Sequence, residues 1–350
     1  MTTLASLGGW PAVLGPLTEH GNLTAVHTRA AMAEILSGDA TPAQVAGFAV
    51  ALRIKGETVE ELSGLLDAML AVAELVTLPA ELAPRVVDIV GTGGDRSHSI
   101  NVSTLASLVV AGAGVPVCKH GNRAASSSCG AADLLAELGV ALELTPEGVA
   151  RCVVEAGLGF CFAPRFHPAL RHAGPTRREL GIPTAFNILG PMANPARVRR
   201  QVVGIADARM ADRMLGVMAA HGAEHVLIVH GGDGLDELTT TGPSTVWELR
   251  DGETRRYQVD PTALGIPPAS PDDLRGGLPP ENAAVARAVL AGEPGPRRDI
   301  VVLNAAAGLY VGGAVPDLAA GLQVAADAID DGRAASTLAR LVACSQAVVG

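Results

Sequence analysis

Apolar positions in the first 80 residues fall at helical spacing. Leu62, Leu65, Leu66, Met69, Leu70 and Ala73 share one face of a 3.6-residue period and predict a helix. Its start is marked by Thr58-Val59-Glu60-Glu61, and Thr41-Pro42-Ala43-Gln44 marks an earlier one. In each, the threonine can cap and the residue three further on can reach back, while Pro42 suits a first helical position. Gly56 should end the earlier helix, and Pro79 and Pro84 close the region. Beyond Pro84 the pattern changes. Short β-branched runs at 86–90, 115–118, 159–163, 202–206, 226–229 and 300–303 read as buried strands. Between them, 103–111, 131–138, 146–156 and 208–220 read as helices. The expected fold class is α/β: a small mainly helical domain plus a larger domain with a central, largely parallel sheet flanked by helices. Residues 260–298, rich in Pro and Gly, read as loop with a short helix near 282–290, and there is no internal repeat.

A length of 350 residues fits about two domains. With 48% hydrophobic and 18% charged residues, disorder is excluded. Only 3% of residues are aromatic and the net charge is −10, which argues against a nucleic-acid partner. That charge also repels anionic substrates, so a phosphate site must be organised locally. The longest apolar run, 105–118, is broken by glycines and Pro116 and falls short of the roughly 18 residues of a membrane span. The first residues lack a basic start and a signal-peptide core, and the five cysteines are scattered with no C-x-x-C pair. The expectation is a cytoplasmic protein with no membrane partner, no structural disulfide and no zinc knuckle.

Three clusters carry chemistry. Asp88-Ile89-Val90-Gly91-Thr92-Gly93-Gly94-Asp95 takes a strand into a glycine turn, and Asn101-Val102-Ser103-Thr104 opens the next helix. Glycines let backbone N–H groups approach an oxyanion, and the helix start adds its dipole. Neither the Walker loop nor the dinucleotide fingerprint is present. Lys119-His120-Gly121-Asn122-Arg123-Ala124-Ala125-Ser126-Ser127-Ser128 follows a strand end, where α/β ligand sites form. Its cations and hydroxyls suit phosphate. The third cluster spans 231–242; its adjacent Asp236 and Glu237 suit Mg2+, which prefers oxygen ligands and bridges to phosphates. Each cluster could instead be an ordinary turn, but phosphate-type loops beside a metal-type loop agree with one another. His221 and His225 have helical zinc spacing, yet Gly222 intervenes, so a helix end is the better reading. His167 and His172 should line the loop leading to Arg177, and Cys118 and Cys129 read as small buried hydrophobes.

These motifs, together with Phe186-Asn187-Ile188-Leu189-Gly190-Pro191 and Asn194-Pro195, resemble the anthranilate phosphoribosyltransferases, a family of the nucleoside-phosphorylase-like transferase class. The motifs occur in family order over about residues 30–345. The resemblance implies transfer of phosphoribosyl from phosphoribosyl pyrophosphate (PRPP) to the amine of anthranilate, in tryptophan biosynthesis. It implies that Gly91, Gly94, Asp95, Ser99, Asn101, Val102, Ser103, Thr104, Lys119, His120, Gly121, Asn122, Arg123, Ala124, Ala125, Ser126, Ser127 and Ala131 hold PRPP. Gly91, Asn122 and Arg177 would meet anthranilate, and Ser103, Asp236 and Glu237 would hold Mg2+, two ions per site. No general base is assigned; His120 is a candidate for that role or for packing on the aromatic substrate. Arg96, Ser99, Ala131 and Pro183 stand where the family usually has Gly, Thr, Ser and Arg. Also implied are a homodimer and a discontinuous helical domain of residues 1–82 plus about 175–205, with 83–174 plus 206–350 forming the PRPP-binding domain. The rivals are a nucleoside phosphorylase, a transferase using another aromatic amine, and a non-catalytic nucleic-acid-binding homologue.

Overall fold

Both threonine boxes close in the structure, a computed structural model that describes residues 2–124 and 127–349. Thr41 accepts from Gln44 N–H at 3.3 Å and its own N–H donates to Gln44 Oε1 at 2.8 Å. They start α3 (Pro42–Lys55), which ends at Gly56 as expected. Thr58 and Glu61 form the same pair at the start of α4 (Val59–Ala71). With α1 (Gly9–Thr18) and α2 (Ala25–Ser37) these make the helical unit. Leu62, Leu65, Leu66 and Met69 are buried, whereas Ala73 lies past the end of α4.

The remainder winds around one sheet of β1 (Val87–Gly91), β2 (Val117–Gly121), β3 (Leu158–Phe162), β4 (Arg200–Gly204), β5 (His225–Gly231), β6 (Ser244–Arg250) and β7 (Glu253–Val259). Its order is β3-β2-β1-β4-β5-β6-β7. The five strands from β3 to β5 are parallel and β6 and β7 run antiparallel. Alternate residues feed two cores, as a period of two requires. Val87, Ile89, Val202, Leu227 and Val229 pack into one. There they meet α5 (Val102–Gly112), α7 (Pro146–Ala156), α13 (Pro296–Val311), α14 (Leu318–Asp330) and α15 (Arg333–Val349). Val90, Val203, Val226 and Ile228 pack into the other, against the helical unit, α10 (Ala185–Met192) and α11 (Ala211–Ala220). The remaining helices are α6 (Ala131–Glu137), α8 (Ala163–Phe166), α9 (Gly174–Leu180) and α12 (Pro279–Leu290).

Three expectations are corrected. Residues 300–303 are helical, inside α13, because a short apolar run buried on every side has no period to distinguish strand from helix. Residues 200–204 form β4, so any helical contribution from 175–205 stops before Arg200. Finally β6 and β7 lie in a stretch given no strand, β7 being an edge whose exposed Glu253, Arg255 and Arg256 look like loop. Among the described residues no helix is long and apolar enough to cross a membrane.

Candidate active site

Strand order reverses around β1: β2 lies on one side and β4 on the other. Such a switch point leaves a crevice at the carboxyl ends of the strands. Three of the loops marked in the sequence meet there. Gly91 ends β1 and Gly204 ends β4, and both are bare of Cβ because Asp236 fills the space above them. A Cβ on either would collide with Asp236. Gly93, at φ +66°, donates its N–H to Asp236 Oδ2 at 2.7 Å. Ser103, in the first turn of α5, donates its N–H to Glu237 Oε1 at 3.1 Å. Lys119, on β2, reaches Ser103 Oγ at 3.3 Å and donates to the Ile89 carbonyl. The glycine turn, the helix start, the lysine strand and the acidic pair therefore form one hydrogen-bonded assembly.

The acidic loop is braced from beneath. Asn304 of α13 accepts from Leu238 N–H at 3.0 Å and donates to the Leu238 carbonyl at 2.8 Å. Asp233 accepts from the Thr239 and Thr241 hydroxyls, so it shapes the turn and leaves Asp236 and Glu237 to the crevice. Burial drives both acids toward the protonated form. Asp236 lies well above the usual range, raised further by repulsion from Glu237 and Asp95. Glu237 is pushed up to about 7 despite attraction to Lys119. The same burial lowers Lys119, while Asp88, Glu237 and Asp236 hold its charge. Two crowded buried carboxylates, with the Ser103 segment beside Glu237, offer oxygen ligands that fit a divalent cation. Among the described residues no group of three or more His, Cys, Asp or Glu side chains closes around a metal, so substrate oxygens would have to complete the shell.

The other residues singled out in the sequence take varied places. Gly94 and Asp95 rim the turn, followed by Arg96 at φ +60°, a conformation that favours the glycine usual there. Ser99 bridges to Arg275. Asn101 joins two segments, donating to the Cys129 carbonyl at 2.9 Å and accepting from Asn282 Nδ2 at 2.9 Å. Val102 and Thr104 are buried in the first turn of α5. Lys119 is likewise buried, beneath the loops rather than reaching out of them. Gly121 ends β2 against Phe160. Asn122 is exposed, Arg123 pairs with Asp133 at 2.8 Å, and Ala124 N–H donates to the same carboxylate at 2.9 Å. Ser127 is exposed and Ala131 begins α6. Ala125 and Ser126 lie outside the described residues.

A second half of the site comes from the segment entering β4. Arg177 on α9 stacks over Phe186 of α10 at 5.4 Å, its charge disfavoured by burial. One turn further, the Gly190 carbonyl meets His120 Nδ1 at 3.1 Å. His120 packs against His167, ring centroids 5.1 Å apart, and His167 Nε2 meets the Ala193 carbonyl at 2.9 Å. Burial, with repulsion between the rings, lowers His120 to about 3, and burial lowers His167 to about 4, so both are neutral at physiological pH. Asp88 and Asn194 stand inside the quoted motifs without a role of their own, and Asn282 carries no site signal; the partners of all three lie far along the chain. His221 caps α11, and His225 pairs with Glu248, away from any zinc arrangement. The five cysteines are free thiols.

Comparison with known proteins agrees with this architecture. Residues 83–335 match the glycosyl transferase family a/b domain, and residues 11–73 its helical bundle domain. The chain is 56% identical, over 97% of each chain, to an anthranilate phosphoribosyltransferase of Salinispora arenicola. It superposes on the crystal structure of the Thermus thermophilus enzyme of that name with a TM-score of 0.89, at 40% identity, covering 95% of this chain and 99% of that one. The Saccharomyces cerevisiae counterpart in complex with PRPP and Mg gives a TM-score of 0.89 at 28% identity, covering 97% and 98%.

Proposed function

The chain belongs to the anthranilate phosphoribosyltransferase family of glycosyltransferases, and from that premise we propose how its crevice works. It transfers the 5-phosphoribosyl group from PRPP to the amine of anthranilate, giving N-(5-phosphoribosyl)anthranilate and pyrophosphate, in L-tryptophan biosynthesis. One observation carries the placement: the glycine turn, the α5 start, Lys119 and the Asp236–Glu237 pair are hydrogen-bonded together at the switch point.

PRPP is held by the Gly91–Asp95 turn, Ser99, the N-terminus of α5 and residues 119–127, with Ala131 bordering them. Backbone N–H groups and the helix dipole receive its phosphates, while Arg123 and the serine hydroxyls add donors. Lys119 fixes Ser103 and sets a positive charge beneath the leaving group. Ser103, Asp236 and Glu237 hold Mg2+, two ions per site; when bound, magnesium neutralises the pyrophosphate charge. Arg177 receives the anthranilate carboxylate, with Gly91 and Asn122 beside the ring. The aromatic amine is a weak nucleophile, so the expected transition state is dissociative, with oxocarbenium character at the ribose C1. The protein contributes positioning and leaving-group stabilisation. His120, buried with its Nδ1 on the Gly190 carbonyl, orients the acceptor, and its lowered basicity makes it a poor general base.

We place the helical domain in residues 1–82 plus α9 and α10, with the crevice between it and the sheet domain. The functional unit is a homodimer formed through the helical domain, whose α3 exposes Ile54 at 71%. The free thiols and the absence, among the described residues, of a membrane-length helix suit work in the cytoplasm. The direct test is loss of anthranilate fluorescence on adding PRPP with Mg2+. No loss, or product analysis that finds thymidine and phosphate converted in place of anthranilate, would reject the assignment.

A further inference from the structure

We propose that Asn194, acting with Asp88, is a positioning residue that clamps the acceptor half of the crevice to the strand carrying Lys119 and His120. The inference rests on the function proposed above and adds a role that Asn194 does not have there.

Asn194 is 2% exposed and uses its whole amide. Its Nδ2 donates to Asp88 Oδ2 at 2.8 Å and to the Cys118 carbonyl at 2.8 Å, and its Oδ1 accepts from Ala196 N–H at 2.8 Å. Asp88 is fully buried on β1, and its Oδ1 accepts the His120 N–H at 3.3 Å. The bonded pair Asn194 and Asp88 thus holds the backbone on both sides of Lys119. On its other side Asn194 lies two residues beyond the end of α10. That helix carries Phe186, under Arg177, and Gly190, whose carbonyl meets His120. The neighbouring residues are anchored too: the Ala193 carbonyl meets His167, and the Pro195 carbonyl accepts from Val76 N–H at 3.1 Å. Shifting residue 194 therefore shifts α10 relative to Lys119 and His120 together.

Chemistry explains the residue types. A buried carboxylate needs donors, and beside the His120 N–H and the Gln201 side chain Asp88 has the amide that Asn194 presents in fixed geometry. Aspartate at 194 would face Asp88 as a second buried carboxylate and lose the bond to Cys118. Exchanging the two residues, Asp88→Asn with Asn194→Asp, restores one carboxylate against one amide, at the cost of a carboxylate oxygen facing the Cys118 carbonyl and of moving the charge that supports Lys119.

The experiment compares steady-state kinetics of the full chain with anthranilate and PRPP–Mg2+ for wild type, N194D and the exchanged double variant, with melting temperatures measured alongside. A misplacement near 1 Å should lower kcat/KM of N194D roughly tenfold to a hundredfold. The double variant should recover part of that loss, clearly above N194D, even if its melting temperature stays below that of wild type. A purely structural residue would instead lower the melting temperature and leave kcat per folded molecule unchanged. Wild-type rates in N194D, or a double variant no better than N194D, would overturn the clamp. Absence of turnover by the wild type would overturn the proposed function, and the clamp with it.

Discussion

Gly91→Ala is the substitution whose outcome the packing at the switch point determines most closely. The new Cβ would strike Asp236 Oδ2 and stand 3.0 Å from its Cγ, where ordinary contact begins at 3.4 Å. The carboxylate has to retreat by roughly 0.5–1 Å, since nothing else in the contact can yield without moving β1. That retreat stretches the 2.7 Å bond from Gly93 N–H, the link between the glycine turn and the acidic loop. Overpacking of this kind costs about 1–3 kcal/mol of stability, which a domain of this size survives. Catalysis is more sensitive: misplacement near 1 Å is worth about 10²-fold. The variant should fold, melt a few degrees low, need more Mg2+ for half-maximal rate, and lose roughly 10²-fold in kcat/KM. Gly204→Ala is the contrast. Its Cβ meets the Asp236 backbone, which cannot swing aside, so that variant should fail to fold stably. Steady-state rates at several Mg2+ concentrations, beside thermal melts, decide the matter. A Gly91→Ala enzyme with rates within about twofold of wild type and unchanged Mg2+ demand would refute the placement of Asp236.

Other outcomes follow from the same geometry. Asp236→Asn with Glu237→Gln should abolish Mg2+-dependent turnover while leaving the fold intact by circular dichroism; near-normal rates would remove the metal assignment. Arg177→Ala should chiefly raise the anthranilate KM, and unchanged anthranilate kinetics would reject the carboxylate role. Glu248 accepts from Arg255, Tyr257 and Tyr310, each at 2.9 Å, and pairs with His225 at 3.0 Å. Burial opposes its charge, but these bonds prevail and hold it at about 2 against 4.5. Because the folded value is the lower one, its stabilisation is complete above pH 4.5 and is lost as the pH falls toward 2. Glu248→Gln should therefore cost about 2–4 kcal/mol in neutral melts and progressively less in acid, with substrate KM values unmoved. An equal deficit at every pH would contradict this.

What the sequence makes legible is local. Capping boxes, strand ends and glycine turns depend on neighbouring residues, so α3, α4 and the loops at the rim of β1, β2 and β5 could be located by pattern. The hairpin of β6 and β7 also carried a signal, Asp251-Gly252, and both residues have the positive φ of a type I′ turn, +52° and +83°. It was masked by a charged edge strand. Residues 300–303 read as a strand because α13 is buried on all sides from Ile300 onward, its Gly308 lying against Ile89 and Val110 of the core. Asn194 and Asp88 are 106 residues apart, and Asn101 and Asn282 are 181 apart. Their pairing is fixed by the winding of the sheet, and no periodicity along the chain encodes it.

The central claim is that separate loops form one grip for PRPP and its ion. Isothermal titration of PRPP into the protein, with and without Mg2+ and in two buffers of different ionisation enthalpy, tests it most directly. With Mg2+ a saturable heat should appear, differing between the buffers because Glu237, held at about 7, gives up protons when a cation binds. The absence of heat, or the same heat without the ion, would contradict the account.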